Sequence, residues 1–579
     1  MRLRISLLTS AALLLGAGCS IPLKDIQASK QNVCSADSDC PAGSRCAVAG
    51  EASLCVSETA DLPAVILEVR PLLGDATTPS TLLGPVDLST KAGSGPLLDL
   101  DIEVPSYVDV APGRVYLPCA KDQAVPAKVT FYPAPGVTGL LADQAYEADK
   151  MVDEGGTGQF AVSVPPGLYD IYIEPQPDLA ATPDCEGSPP IFIPSLKIAK
   201  DVGFQVHASA PIYLTGSLKL SKLEDFSKWS LEVIEPSGGK TISVPLNPEQ
   251  TGLALSVPFK LKFDWTARDA YTPLIRLRPP EGSGKPTIVW NLEGVALAGQ
   301  MGDEIPVALD VSGVDTVPRE IKGTVLHEGQ PVASTVTIHG KKIPGSDLNR
   351  FETVVETDAQ GRFHALAPRG EYIVIARPHS ELFAIGSATW DTLEGTGCFC
   401  GNSVNVPSVT TLTGSVTAPD GQPTEASIRL TPTATEVESI LGNGSYDEVP
   451  PRPASGQTTG GAFSVPVDAG TFDLSILPPE DSGYPWLVRP RQEVTMPTNS
   501  AAPVVSLQPF ALQPPAILTG TALGADGRPL PGATIRAWIG VTDPKASGAV
   551  ASAVQIASTV SAADGRYVLL LPPSIKQGM

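Results

Sequence analysis

Nine cysteines and five histidines are the side chains in this 579-residue sequence best suited to metal, redox or nucleophilic chemistry. Their spacing argues against most of it. His207, His327, His339, His364 and His379 form no HxxH, HExxH or HxxE arrangement, so no zinc site and no bound metal is expected from them. Each reads as a solvent-facing strand residue, with His339 and His364 on neighbouring strands. Cys34, Cys40, Cys46 and Cys55 crowd into one short stretch with Asp37, Asp39, Pro41 and Gly43 between them. Four such thiols can hold a metal or close two disulfides. With no histidine nearby, disulfides are expected, in any of three pairings. Cys398 and Cys400 stand one residue apart, where a direct bond is strained. They either bond despite the strain or reach the first four cysteines; a redox or metal-capturing pair is the sharper alternative. Two fragments imitate phosphate loops. Gly238-Gly-Lys-Thr241 has Ile234 where a glycine is required, and Gly282-Ser-Gly-Lys285 is hemmed by Pro279, Pro280 and Pro286. Both read as hairpin turns. No GxSxG elbow occurs, so neither catalytic residues nor a cofactor is expected.

The amino terminus reads as a targeting segment. Arg2 and Arg4 precede an apolar run from Ile5 to Leu15, too short to span a bilayer, and Gly16-Ala-Gly18 leads to Cys19. Leu15-Gly-Ala-Gly-Cys19 resembles a bacterial lipobox. The resemblance implies lipidation at Cys19. Ser20, in place of the aspartate that favours inner-membrane retention, implies the outer membrane, with the chain on its periplasmic or outer surface. The even set of remaining cysteines suits an oxidising, exported setting. The net charge of −22, with no Lys/Arg cluster, argues against nucleic acid and for a solvated surface.

Among the elements that must position these residues, a repeat dominates. Gly158-Gln-Phe160, Gly361-Arg-Phe363 and Gly461-Ala-Phe463 each begin an alternating run, followed nine residues later by Tyr169, Tyr372 and Phe472. Each second aromatic follows a glycine by two positions (Gly167, Gly370, Gly470), and Gly565-Arg-Tyr567 starts a fourth copy. Units open on Gly113-Arg-Val115, Gly216-Ser-Leu218, Gly323-Thr-Val325, Gly414-Ser-Val416 and Gly520-Thr-Ala522. Turns at Glu328–Pro331, Asp420–Pro423 and Asp526–Pro529 come after the last three openings, glycine supplying positive φ and proline presetting the exit. The alternation of Phe363, Ala365 and Ala367, answered by Tyr372, Val374 and Ala376, predicts antiparallel pairs with one buried face. A string of small β-domains is therefore expected.

This pattern closely resembles the carboxypeptidase regulatory-like domain, which implies a transthyretin-like (prealbumin-type) Greek-key sandwich and brings no catalytic residues. The match is good over 323–378 and 414–478, fair over 113–178 and partial over 520–579. Over 216–280 it is confined to the opening glycine and the Leu274, Arg276, Arg278 run. The stretch Asp39–Cys46 resembles small secreted cysteine-rich modules of the Dickkopf type. The expected fold class is all-β: tandem Greek-key sandwiches after a small disulfide-rich module. The divisions are a signal peptide 1–18, tether 19–33, cysteine-rich module 34–56, β-rich segment 62–112, units 113–205, 206–312, 318–408 and 410–512, and an incomplete unit 516–579. That last unit lacks partner strands, and its unpaired edge is expected to open first. Cys119 and Cys185 flank the first unit and are expected to clamp it.

Binding in such a chain falls to residues outside the repeated core. Trp486, in a proline-rich loop, and Trp538, beside a strand alternation, are the candidates for stacking on a sugar ring; packing at domain junctions is the plainer role. The expectation is a non-enzymatic, outer-membrane-anchored structural or adhesive scaffold. A glycan- or envelope-polymer-binding lipoprotein and an accessory part of a secretion or transport system are the alternatives. The expected partners are the membrane, through the lipid, and a glycan or another envelope protein.

Overall fold

The computed structural model describes residues 32–575, apart from short gaps and the longer stretches 89–96, 134–144, 149–158, 235–241, 246–252, 264–273, 292–303, 311–316, 434–448, 496–502 and 543–549. Cys19, Cys398, Gly158, the fragment 238–241, the signal peptide and nearly all of the tether lie outside the described residues.

The unit around 318–408 sets the pattern. Its strands are βA (Arg319–His327), βB (Ser334–Lys342), βC (Glu352–Glu356), βD (Arg362–Ala367), βE (Glu371–Pro378), βF (Gly386–Asp391) and βG (Phe399–Asn405). One sheet runs D-A-G, with A and G parallel; the other runs C-B-E-F and is antiparallel throughout. Strict alternation builds the core between them. Phe363, Ala365 and Ala367 are buried while Arg362 and His364 face out, and Tyr372, Val374 and Ala376 answer from the other sheet. The turn into βD is held by Asp358, whose Oδ1 accepts from the backbone N–H groups of Gln360 (2.9 Å) and Arg362 (2.8 Å), with Gly361 at φ +67°.

The same two sheets recur with βA at Val108–Tyr116, Ile212–Asp225, Thr410–Thr417 and Ala516–Leu523, giving five sandwiches. We number them 1 to 5 in the order of their βA strands, so the pattern-setting unit is sandwich 3. The fold class is thus all-β Greek-key sandwiches preceded by a disulfide module. Sandwich 1 begins at Val108, so residues 108–112 belong to it and not to the preceding β-rich segment. Sandwich 2, divergent in sequence, keeps the full topology. Its βD (Leu253–Phe263) carries Phe259 directly opposite Gly216.

That contact explains the opening glycines. Gly113, Gly216, Gly323, Gly414 and Gly520 stand in register with Phe160, Phe259, Phe363, Phe463 and Tyr567. In the first four, a Cβ would come within 2.3 to 2.9 Å of the facing ring. Glycine leaves the space the aromatic of βD fills.

Two of the junctions are pinned by specific hydrogen bonds. Between sandwiches 2 and 3, Thr287 and Arg350 exchange two backbone hydrogen bonds of 2.8 Å. Between sandwiches 3 and 4, the Arg452 guanidinium donates to both oxygens of Asp468 (2.8 and 2.9 Å) and to the Phe383 carbonyl (2.6 Å), while Ile385 N–H donates to Asp468. The carboxylate is almost fully buried, so this charged fork is shielded from water and holds two domains at one angle.

The expectation of an incomplete last unit is corrected. Only βA to βD of sandwich 5 come from the C-terminal residues, βB being Thr534–Thr542, βC Val550–Val560 and βD Arg566–Leu571. Its βE (Val65–Arg70), βF (Thr81–Val86) and βG (Leu97–Asp99 continued by Ile102–Glu103) come from the N-terminal β-rich segment, which is therefore no separate element. The edge at βB is paired and the core is covered on both faces. The physical reason is plain: both halves carry one apolar face, and each buries it on the other.

Candidate functional site at the chain closure

Sandwich 5 is where the two ends of the described chain meet, and its strength rests on groups 420 to 470 residues apart. Val65, Leu67, Val69, Ile102 and Val104 enter one core with Leu518, Ile535, Ala537, Ile539, Leu569 and Leu571. Leu62 and Leu88 join them, so the N-terminal segment contributes seven buried side chains. At about 1.5–3 kcal/mol each, these represent roughly 10–20 kcal/mol of gross apolar burial. Backbone pairing adds direction: βE lies antiparallel to βB from Val65↔Ile539 to Arg70↔Thr534, and βG lies parallel to βA.

Polar contacts fix the register. The Tyr567 hydroxyl, on βD, donates to the Leu100 carbonyl between the two parts of βG at 2.6 Å. The other four sandwiches have phenylalanine at this position, with no hydroxyl to satisfy. Burial pushes the Tyr567 phenol up, and the carboxylates of Asp101 and Asp99 add to the effect. Gly520 lies against the same segment: a Cβ there would meet the Leu100 carbonyl oxygen at 2.0 Å. On the outer face of the other sheet, Glu68 is fully buried. Its carboxylate accepts from Trp538 Nε1 at 3.0 Å, pairs with Arg70, and lies 3.6 Å from Arg536. Three side chains drawn from both halves of the sandwich thus satisfy one buried charge.

The cysteine module is seated on this closure. Its hairpin, Ser44–Ala49 with Ala52–Ser57, is tied to the preceding loop by Cys34–Cys46 and Cys40–Cys55. Asp39 supports the loop by accepting from the backbone N–H groups of Ser35 (2.8 Å) and Ala36 (3.0 Å), which lower its pKa. The hairpin has little core of its own: Ala49, Ala52, Leu54 and Val56 bury themselves with Ile517 of sandwich 5, and Val568 and Leu570 flank them. This explains why Val568 and Leu570 stand partly buried on the outer face of βD in sandwich 5, where sandwich 3 has the exposed His364 and Leu366. The module also reaches sandwich 4. Asn32 Nδ2 donates to the Gly483 carbonyl at 2.8 Å, and Leu54 lies 3.1 Å from where a Gly483 Cβ would stand. Gly483 ends a 3-10 turn at φ +72° and gives the module its close seat.

The structure gives each site residue expected from sequence a definite place. All four module cysteines pair among themselves, and the sulfur cluster formed by Cys34, Cys40 and Cys55 belongs to those two bonds. Cys119 and Cys185 are bonded across sandwich 1. Cys400 is disulfide-bonded, and since every other described cysteine is paired elsewhere, a bond to the module is ruled out. Trp486 packs half-buried against the core of sandwich 5, at the junction with sandwich 4, and Trp538 is the half-buried partner of Glu68. Gly282–Lys285 is a turn, with Gly284 lying against Leu366 of sandwich 3. The histidines take separate partners: His207 stacks on Tyr116, His327 meets the Val406 carbonyl, and His339, His364 and His379 face Glu352, Glu320 and Glu356. His339 departs from the expected exposure, its side chain being only 14% accessible. The closure residues were missed from sequence; the one signal was the continuous apolar run Val568–Leu571, which is too apolar for a strand with one wet face.

No family model matches the chain, and no curated protein matches it. Among solved structures, it is similar to a streptococcal ancillary pilin at 12% identity, over 51% of this chain and 98% of that one, with a TM-score of 0.20. It is also similar to the Bacillus anthracis TIE protein (11% identity, 70% and 74% covered, TM-score 0.15) and the shaft pilin SpaA from Lactobacillus rhamnosus GG (11%, 34% and 98%, TM-score 0.17).

Proposed function

We propose that this chain is a non-enzymatic scaffold of the cell envelope, held to the outer membrane by a lipid on Cys19 and serving a structural or adhesive role through tandem sandwiches of the carboxypeptidase regulatory-like type. The observation that carries this reading is where the repeated residues go. The opening glycines and βD aromatics of all five units are consumed in cores, and the described N- and C-terminal segments, the module and two junctions are held by contacts between units. Such a body resists deformation and offers its loops and outer sheet faces to partners.

The test is fractionation of cells expressing the wild type and Cys19→Ala. The wild type is expected in the outer-membrane fraction and the variant in the soluble periplasm or medium. A Cys19→Ala protein that stays with the membrane sinks the anchoring; wild type confined to the inner membrane sinks the destination. Cell-adhesion or envelope-integrity assays with the gene deleted then address the role, and an unchanged phenotype in both counts against it.

A further inference from the structure

We propose that the N-terminal block, residues 32–103, is exchangeable between copies of this chain, so that βE, βF and βG of one molecule complete sandwich 5 of another. Three observations lead there. The block's seat is made by the C-terminal half of sandwich 5 and by the Gly483 turn of sandwich 4, all far along the sequence from the block. The block is joined to sandwich 1 by a connector of four residues, since βG ends at Glu103 and βA of sandwich 1 begins at Val108. And the order of connections is cyclic. Each sandwich is entered at βA and left from βG; βG of sandwich 5 leads into sandwich 1, and sandwich 4 leads back into βA of sandwich 5.

A cyclic order makes exchange unusual in what it requires. In an exchanged assembly, the block of one copy sits in the next copy's acceptor with the same strand pairs, the same Tyr567–Leu100 contact and the same seat for the module. The connector 104–107 keeps its path into sandwich 1, so no hinge loop must straighten. What changes is only whether the run of sandwiches returns to its own start. Connectors between successive strands G and A span at most eight residues, about 28 Å when extended, so within one molecule the five units must close on themselves. Small angular changes spread over the junctions other than that held by the Arg452–Asp468 fork convert such closure into a larger ring or an open array, as for any head-to-tail interface. Strand donation of this kind draws on main-chain pairing already present in the single copy. The balance between the two forms is set by the effective concentration of a molecule's own block at its own acceptor, against that of its neighbours.

The experiment uses the full mature chain with its disulfides intact. Protein unfolded in guanidinium without reductant is refolded in dilute and in concentrated solution and sized by light scattering after gel filtration. A second protein, Arg70→Cys with Thr534→Cys, whose positions face each other across βE and βB, is oxidised while dilute to lock each block in its own acceptor. Exchange predicts monomers from dilute refolding, dimers and larger species from concentrated refolding, and loss of those species in the locked protein. Wild type that stays monomeric at both concentrations overturns the proposal. So does a locked protein that associates as much as wild type, since its association would then run through another surface.

Discussion

Sandwiches 3 and 5 are built from the same seven strands in the same two sheets, yet one is a continuous stretch of chain and the other is assembled from its two ends. In sandwich 3, βD passes into βE of the facing sheet through the short loop 368–370, and local turn chemistry at Asp358 and Gly361 sets the start of βD. In sandwich 5 that connection is missing, and the register of βE rests on side chains: Glu68 with Trp538 and Arg536, and the apolar rows of both halves. The fold is therefore specified by complementary faces and not by contiguity. Two features replace contiguity here, namely a hydroxyl in place of a ring hydrogen at Tyr567, and a disulfide module laid over the outer face of the D-A-G sheet.

The largest way to break the comparison is to remove residues 32–104. Sandwich 5 then loses its seven buried N-terminal side chains, roughly 10–20 kcal/mol of gross apolar burial against a domain's usual net margin of ~5–15 kcal/mol. Residues 516–571 are expected to lose hydrogen-exchange protection while residues 319–405 keep theirs. In the intact chain, the two regions should be protected to a similar degree; early opening of 566–571 would contradict a completed sandwich.

Next in size is the glycine pair. Gly323→Ala pushes on the Phe363 ring and the Trp390 ring at 2.5–2.6 Å, and rings can shift at about 1–2 kcal/mol. Gly520→Ala meets a backbone carbonyl at 2.0 Å, which cannot turn aside, so about 3 kcal/mol or more is expected. Denaturant unfolding followed region by region measures both, and equal costs would mean that βG of sandwich 5 yields as readily as a side chain.

Smaller still is Tyr567→Phe, which restores the residue of the other sandwiches but leaves the Leu100 carbonyl without its phenol donor. A loss of about 1 kcal/mol confined to sandwich 5 is expected from the same unfolding measurement. The smallest effect is alkaline. The Tyr567 phenol has a folded pKa above its unfolded value near 10, so its stabilising contribution is complete below pH ~10 and is lost as pH rises through the folded value. Thermal melting of the wild type should fall more steeply above pH ~10 than that of Tyr567→Phe. Parallel slopes would mean that this phenol does not control the alkaline opening.

Much of this was legible in the chain, and the reason is local. Period-two alternation assigns a strand and its buried face from a handful of residues, and the Gly-x-aromatic spacing marks βD and βE wherever both survive. Sandwich 2 was legible only through its opening glycine and the Leu274–Arg278 run, because Ser256-Val-Pro-Phe259 lacks the glycine two before its aromatic, although Phe259 still faces Gly216. The tryptophans were identified as candidate platforms from their loops and alternations. Their surroundings, the core of sandwich 5 for Trp486 and the Glu68 carboxylate for Trp538, come from residues remote in sequence.

By itself, then, the sequence determined the β-class, the strand faces, the glycine–aromatic cores of three units and the even cysteine set, because each depends on neighbours a few residues away. Only the tertiary structure decided that Val65–Glu103 belongs with Ala516–Leu571, which cysteines pair within the module, and that Val568 and Leu570 are covered by it. Pairing between strands more than 400 residues apart in sequence leaves no local trace. Any amphipathic strand can satisfy any other, until the packing of whole faces selects one register.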